Sequence, residues 1–565
     1  MKLSVCSGTV AEKLLHDSHF RGQWKDLYDQ CPWATVYQSV DLLTTWYATY
    51  RGRYRPFIVT GATENGELVG LLTLATSVES GELVVAGTYL AEYQVWVARP
   101  ETGNDFIDAA LYRLGEQFPN QVLQFYFLPP QSPLAWVEKD GRWRNRSILR
   151  RFQRGLMTID DGSSFQQRLR KNRKFVNRLK KLGDLRLERL EDPKELESIF
   201  DELLDYTAFR EKAAYGVDLE RDPLKKAYHV KLMSMPGILY ATILRANDKI
   251  VSARLDIFDR GHVSGGMLAL SPLCARASPG STHFMMLAAQ LGQQGIHLYD
   301  LTPGGEYKER FATHHDEAYQ LRIFFSRSHL IRYKIKRKLV EACKSFLRAC
   351  KVSPERLYKI LVSLTLALAN SPLDLLAWLK REVWHTEELC LYACASDALR
   401  TLAPAPIAMK RDSISDLLLF REARHGQRSR YEFLQRAQEL MESEMHFYTR
   451  VEDGRLTQAG WVIEQPHPPF SVEVEKHLNL PPETPIITDL YMSPPTSERE
   501  TCHSVLAQMS RDVGLVASGK VVYISVSADE QSMREAIEAI GAIHQRSVFK
   551  RHVFGQVTQW STAWG

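Results

Sequence analysis

Between residues 237 and 310 the chain prescribes an order of elements that few folds accommodate. Residues 237–245 are apolar and β-branched, Asn247 and Asp248 supply a tight turn, and residues 249–258 resume with period-two alternation, which predicts a β-hairpin. A third strand fits residues 261–270. Ser278, Pro279 and Gly280 then open a helix that runs over about 281–294, with Ser278 as N-cap, Pro279 at the first helical position and Gly280 allowing close approach to the backbone. Gly295 stops the helix, residues 296–301 read as a short buried strand, and residues 302–305 form a glycine turn. The free N–H groups and dipole of such a helix start suit an anion such as a pyrophosphate, and the same start also serves as an ordinary structural cap.

Upstream, residues 57–61, a turn at Glu64–Gly66 and residues 68–76 predict a second hairpin, followed by strands at 82–86 and 94–97. A helix over 104–118 and a strand over 122–127 complete an α/β unit. No glycine-rich cradle follows these strands, so this half is expected to shape an acceptor pocket, with Glu92, Tyr93, Gln94 and Trp96 as lining candidates or, for the aromatic ones, core residues. Residues 165–182 form a basic amphipathic helix, with Phe165, Leu169, Val176, Leu179 and Leu182 on one face and eight cations, Arg173 among them, around the other. That face suits the phosphates of a nucleotide-linked substrate, a tRNA acceptor stem or anionic lipid, and reads equally as a solvated surface.

The strand order, the helix start at Ser278–Gly280 and the segment carrying Tyr299, Asp300, Leu301, Gly304, Gly305, Glu306, Tyr307, Lys308 and Phe311 resemble the GNAT-fold acyltransferases of the BioF-like or CelD-like group, distantly similar to the FemAB-type aminoacyl transferases. Residues 38–46, 55–59 and 67–72 resemble the amino-terminal half of the same group, so the similarity spans roughly residues 10–350. It implies an α/β fold of GNAT-type mixed sheets flanked by helices. It also implies direct acyl transfer from an acyl-coenzyme A, acetyl-coenzyme A foremost, to an amine or hydroxyl acceptor such as a sugar of a surface polysaccharide. The donor's pyrophosphate is then expected at Arg276, Ser278, Pro279, Gly280, Ser281 and Thr282. Asp300 and Glu306 are the carboxylate candidates for general base, Lys308 for charge stabilisation and Tyr307 for protonating the departing sulfur, with Glu92, Tyr93, Gln94, Trp96 and Arg173 toward the acceptor. Two alternatives remain open: aminoacyl transfer from a charged tRNA, and a catalytically dead scaffold.

At 565 residues the chain is long enough for several domains. The expected division is 1–155 as an acceptor-side GNAT-like half, 156–326 as the acyltransferase domain, 327–382 as a basic helical connector and 383–565 as a C-terminal GNAT-like domain. A net charge of +5 is small for this size and does not point to nucleic acid. The eight cysteines are scattered without C-x-x-C spacing, so no metal is expected and a reducing cytoplasm is the simplest compartment. No secretory signal is visible at the start. Residues 360–379 are apolar but broken by Ser363, Asn370, Pro372 and Asp374, which reads as packed helices or a membrane-associated hairpin at the inner face of the membrane. In the last part, Glu498 and Glu500 stand where the resembled group has glycines, which would repel a pyrophosphate and favours a degenerate or partner-binding domain.

Overall fold

The computed structural model describes residues 1–138, 141–160, 162–215, 222–349, 384–400, 409–421, 429–443, 445–463, 484–493, 502, 505–509, 521–553 and 556–562. The expected helices within 360–379 and the Glu498–Glu500 stretch lie outside them. The chain forms two compact units, one of Met1–Asp201, Asp222–Leu268 and Gly280–Ala349, the other of Glu202–Arg221, Ala269–Pro279 and Cys350–Gly565.

The first unit holds two sheets. Strands β1 (Lys2–Ser7), β2 (Tyr54–Ala62), β3 (Leu68–Ser77), β4 (Leu83–Val85) and β5 (Val97–Ala98) form the smaller one, in which β5 pairs with β3 beside β4. The nearly continuous burial of β3 reflects cover on both faces. Helix Gly103–Gln117 lies so close that a Cβ at Gly70 would stand 2.3 Å from the Phe106 ring.

Strands β6 (Val122–Leu128), β7 (Ser147–Thr158), β8 (Leu185–Leu190), β9 (Leu239–Ala246), β10 (Lys249–Asp259), β11 (His262–Leu270), β12 (Leu298–Pro303) and β13 (His314–Phe324) form the larger sheet, in the order β6-β13-β7-β12-β11-β10-β9-β8. Sequence reading placed β6 with the earlier strands. It pairs instead with β13, where its buried Leu123 and Phe125 join Leu321 and Ile323 in the core that runs on into the first sheet. β11 and β12 run parallel, which demands a crossover, and helix Pro279–Gln293 supplies it. Its Phe284, Leu287, Ala288 and Leu291 pack with Tyr240, Val263, Tyr299 and Leu301. A short 3-10 turn, Pro272–Ala277, precedes this helix, and Ser278 takes the left-handed conformation at φ 47° and not the extended one of an N-cap. The basic helix is likewise divided, into Ser163–Lys171 and Arg173–Lys180, because the Asn172 side-chain amide donates to the Arg168 carbonyl and ends the first piece.

The second unit contains β14 (Trp384–Ala395), β15 (Lys410–Arg411), β16 (His446–Glu452), β17 (Arg455–Ile463), β18 (Ile486–Met492), β19 (Val521–Ser527), β20 (Ile543–Val553) and β21 (Gln556–Ser561), in the order β15-β16-β17-β18-β19-β14-β20-β21. Read beside the larger sheet of the first unit, this is the same order strand for strand, with β21 at the edge position that β6 occupies. The correspondence reaches single residues. Asn247 and Asp453 both turn their hairpins with left-handed φ, 51° and 49°. Both hairpins then bulge at the third residue of the second strand, Val251 in one and Thr457 in the other. Both sheets have a parallel pair joined at two positions, Val263↔Tyr299 and Ser264↔Asp300 against Ile486↔Tyr523 and Ile487↔Ile524. The chain thus carries one sheet architecture twice.

Candidate active site

Past Ser264 and Asp300 the parallel strands part, and charged side chains gather at the opening. β12 bends there: Thr302 sits at φ 59°, unusual for a β-branched residue, and the register with β7 slips between Asp300 and Pro303. Asp300 stabilises the bend, its Oδ1 accepting the Thr302 N–H at 2.8 Å. Its Oδ2 accepts the Tyr93 hydroxyl at 2.8 Å and Arg154 Nη1 at 3.1 Å. The other edge of the Arg154 fork grips Asp316 on β13, with Nε donating at 2.6 Å and Nη2 also bonded. Asp300, 1% exposed, is therefore a buried carboxylate with each oxygen engaged.

A second buried pair stands beside the opening. Arg254 on β10 donates to both oxygens of Asp256, two residues on along the same strand face, at 3.0 and 3.1 Å, and a third bond goes to the Tyr299 hydroxyl. The Arg254 guanidinium lies 5.0 Å from the Phe284 ring centroid, and Asp256 also accepts the Gly266 N–H at 3.1 Å. Gly266 has no room for a side chain, since a Cβ would stand 2.1 Å from the Leu255 carbonyl oxygen. Beneath the helix, His283 is fully buried with Nδ1 2.7 Å from Ser252 Oγ and Nε2 2.9 Å from Thr242 Oγ1.

The loop from β4 to β5 delivers Glu92 and Tyr93. It is fastened by Gln38, which donates to the Tyr93 carbonyl at 2.9 Å, and by Trp33, which donates to the Trp96 carbonyl at 2.8 Å. Glu92 is part-buried next to Lys308. Burial pushes its carboxyl up, with Asp300 adding to the shift and Lys308 opposing it. Lys308 follows the turn at Gly304 and Gly305, both with left-handed φ, and its Nζ donates to Thr302 Oγ1 at 2.8 Å. Burial lowers its ammonium pKa against the pull of Glu92 and Asp300.

The structure thus brings Glu92, Tyr93, Asp300 and Lys308 together. Tyr307 is half exposed, and the Glu306 side chain lies outside the described residues. Gln94 bridges within the fold, donating to the Thr88 carbonyl and accepting the Tyr126 N–H, while Trp96 is wholly buried with its indole N–H on the Gly103 carbonyl. Arg173 is exposed on the basic helix. Gly280 and Ser281 are part-buried in the first turn of the crossover helix, and Thr282 is fully buried with its hydroxyl unpartnered. Arg276, Ser278 and Pro279 fall in the stretch grouped with the second unit. Sequence reasoning missed Arg154, Arg254, Asp256 and Asp316. The local pattern hides them: Arg254 and Asp256 alternate with Ala253, Leu255 and Ile257 as a solvent-facing row would, yet both are buried.

The second unit keeps the architecture and drops these charges. By hairpin register Arg254 and Asp256 correspond to Gly460 and Val462, and by the parallel pair Asp300 corresponds to Ile524. Arg154 and Asp316 correspond to Cys390 and Ser547, which face one another across β14 and β20.

Among the described residues no group of His, Cys, Asp and Glu is arranged to hold a metal ion, and no helix is long and apolar enough to cross a membrane. Solved structures similar to the chain include FemX, at 12% identity over 55% of this chain and 98% of that one with a TM-score of 0.37. L-PGS from Bacillus licheniformis matches at 14% identity over 54% of this chain and 91% of that one, with a TM-score of 0.36. A tandem GNAT protein from the clavulanic acid biosynthesis pathway matches at 12% identity over 57% and 98%, with a TM-score of 0.34. No curated protein matches the chain. Residues 164–313 match the family model described as an acetyltransferase (GNAT) domain, a span that takes in β8 to β12, the crossover helix, Asp300 and Lys308.

Proposed function

We propose that the first unit is an acyltransferase that moves an acyl group from a coenzyme A thioester directly to an amine or hydroxyl. The observation that carries the reading is the placing of Glu92 and Lys308 beside Asp300 where β11 and β12 part, within reach of one another's charge. The match of residues 164–313 to an acetyltransferase domain supports it. In this reading the donor's pyrophosphate meets the first-turn N–H groups at Gly280 and Ser281, and its thioester carbonyl lies in the opening.

Acceptor attack on the carbonyl needs a base, an oxyanion partner and a proton for the leaving sulfur. Asp300 has its oxygens occupied by Tyr93, Arg154 and Thr302, so its work is to position β12 and Tyr93. Glu92 takes the acceptor proton, having no such ties and a carboxyl pushed toward neutral pH. Lys308 steadies the negative charge that develops on the carbonyl oxygen. Tyr307 remains the candidate for protonating the departing thiolate. A sugar of a surface polysaccharide is the acceptor class to screen first.

Calorimetric titration of the full chain with acetyl-coenzyme A, longer acyl-coenzyme A species and free coenzyme A tests the donor. Micromolar binding that a Gly280→Trp variant loses supports the reading, and silence across the panel overturns it. The tRNA alternative rests on a different feature, the exposed row Arg168, Arg170, Lys171, Arg173, Lys174, Lys180 and Lys181. It requires charged-tRNA binding that weakens steeply with salt, which filter binding at two ionic strengths would detect.

A further inference from the structure

Helix Arg327–Ala349 follows the last strand of the first unit and, among the described residues, packs on it through Leu330 and Tyr333. Leu330 is buried, and Tyr333 lies against Phe324 with ring centroids 5.4 Å apart while its hydroxyl accepts from Arg150 at 3.0 Å and Arg322 at 2.8 Å. Turned away from that side is a second apolar row at helical spacing. Ile331, Ile335 and Leu339 are 56%, 54% and 62% exposed, far beyond what scattered surface apolar residues require.

The borders of the row are cationic on both sides. Lys334 and Lys338 precede Ile335 and Leu339 along one border, and Arg332 and Lys336 follow Ile331 and Ile335 along the other, all exposed except for a share of each stem. The one acidic residue of the helix, Glu341, is paired with Arg337 at 2.7 Å. A partner for this surface must offer apolar depth in the middle and negative charge at both margins. A second copy of the same row would set lysine against lysine. An anionic bilayer meets both demands at once, because the row can enter the acyl boundary while long cationic stems reach the phosphates.

We infer that this helix docks the protein on an anionic lipid surface, lying in the interface without crossing it. The inference is independent of the acyl-transfer reading, since none of its residues belongs to the opening at Asp300.

Cosedimentation of the full chain with vesicles of phosphatidylcholine, with and without a third of phosphatidylglycerol, tests it. Binding is expected to the anionic vesicles and to be weak on the neutral ones. Lys334→Glu with Lys338→Glu should lower anionic-vesicle partitioning by more than tenfold, given about fivefold per basic residue. Ile335→Ser with Leu339→Ser should abolish it while the melting temperature stays unchanged. Absence of vesicle binding by the wild-type chain overturns the inference. So does a fall in melting temperature in the serine variant, which would mean that residues 350–383 cover the row, or concentration-dependent dimerisation lost in that variant, which would mean a second copy does.

Discussion

The Tyr93 hydroxyl donates to Asp300 Oδ2 at 2.8 Å, joining a loop of the smaller sheet to the bent strand of the larger one across 207 residues of sequence. The bond fixes the loop that carries Glu92 against the opening. Tyr93→Phe should therefore leave the fold intact, because Arg154 and the Thr302 N–H still satisfy Asp300, yet let Glu92 drift. The expected result is a loss of roughly tenfold to a hundredfold in kcat with little change in donor affinity, in line with what small misplacements cost. An unchanged kcat would show that the loop is held by its backbone anchors alone.

How much of this was legible beforehand depended on range. The hairpin at Asn247, the crossover helix and the strand at Asp300 announced themselves through periodicity and turn residues that act locally. Asp300 stood out as a carboxylate at a strand end, Lys308 through the resemblance of its segment, and Glu92 and Tyr93 as candidate lining of an acceptor pocket. Arg154 did not, because its partners lie 146 and 162 residues away and a lone arginine in a strand looks like a solvent-facing one. Gln94 and Trp96 show the converse. Their backbone neighbours give them tasks inside the fold that no local pattern distinguishes from lining a pocket. The division of the basic helix at Asn172 turned on a single side-chain bond to the preceding turn.

The opposed shifts of Glu92 and Lys308 give a sign to the pH dependence. Glu92 works as a carboxylate and its pKa is raised above 4.5, so activity should fall on the acid side at a pH above the ordinary carboxyl range. Lys308 works as an ammonium and its pKa is lowered from 10.5, so the alkaline limb should appear early. A bell-shaped kcat/KM profile is expected. Glu92→Gln should remove the acid limb along with about a hundredfold to ten-thousandfold of rate. Retention of that limb in the variant would place the base elsewhere.

Arg254 and Asp256 make a stability prediction. Arg254→Met strands a carboxylate that is 0% exposed, leaving it the Gly266 N–H and the Tyr299 hydroxyl, and should cost about 3–5 kcal/mol. Replacing both partners, Arg254→Met with Asp256→Leu, should restore most of the loss, since an apolar pair of similar volume no longer carries an unpaired charge. Urea midpoints of the two variants against wild type measure this. A double variant no better than the single one would show that the carboxylate's bond to Gly266 holds β11 in place.

His283 makes another, with a definite direction. Burial and then the nearby Arg254 charge hold its pKa well below 6.5, so the folded state keeps it neutral while the unfolded chain takes up a proton as pH falls through that value. Its contribution is complete above pH 6.5 and declines below it, by up to about 1.4 kcal/mol per pH unit. His283→Gln keeps a donor and an acceptor for Ser252 and Thr242 but cannot titrate. Wild type should be the more stable at pH 7.5, and its lead should shrink or reverse by pH 5. A constant difference across that range would mean the imidazole does not stay neutral in the fold.

The doubled architecture bears on how many donors one chain can engage. In the first unit the opening is set by charges: Asp300 holds the bend through Thr302 and Arg154, and Arg254 ties β10 to β12 through Asp256 and Tyr299. At the same registers the second unit has Ile524, Cys390, Gly460 and Val462, and the Met509 side chain fills the space above Gly460, its sulfur within 2.8 Å of where a Cβ would stand. Among the described residues this strand pair has no counterpart of the Asp300–Arg154 pair at those registers, its one nearby ion pair being Arg436 with Asp489, and methionine is packed against it. Titration with acetyl-coenzyme A should therefore saturate at one equivalent per chain, and Gly266→Ala, whose Cβ would meet the Leu255 carbonyl oxygen at 2.1 Å, should abolish that equivalent. Two equivalents, one of them surviving Gly266→Ala, would mean that the second opening accepts a donor by contacts of its own.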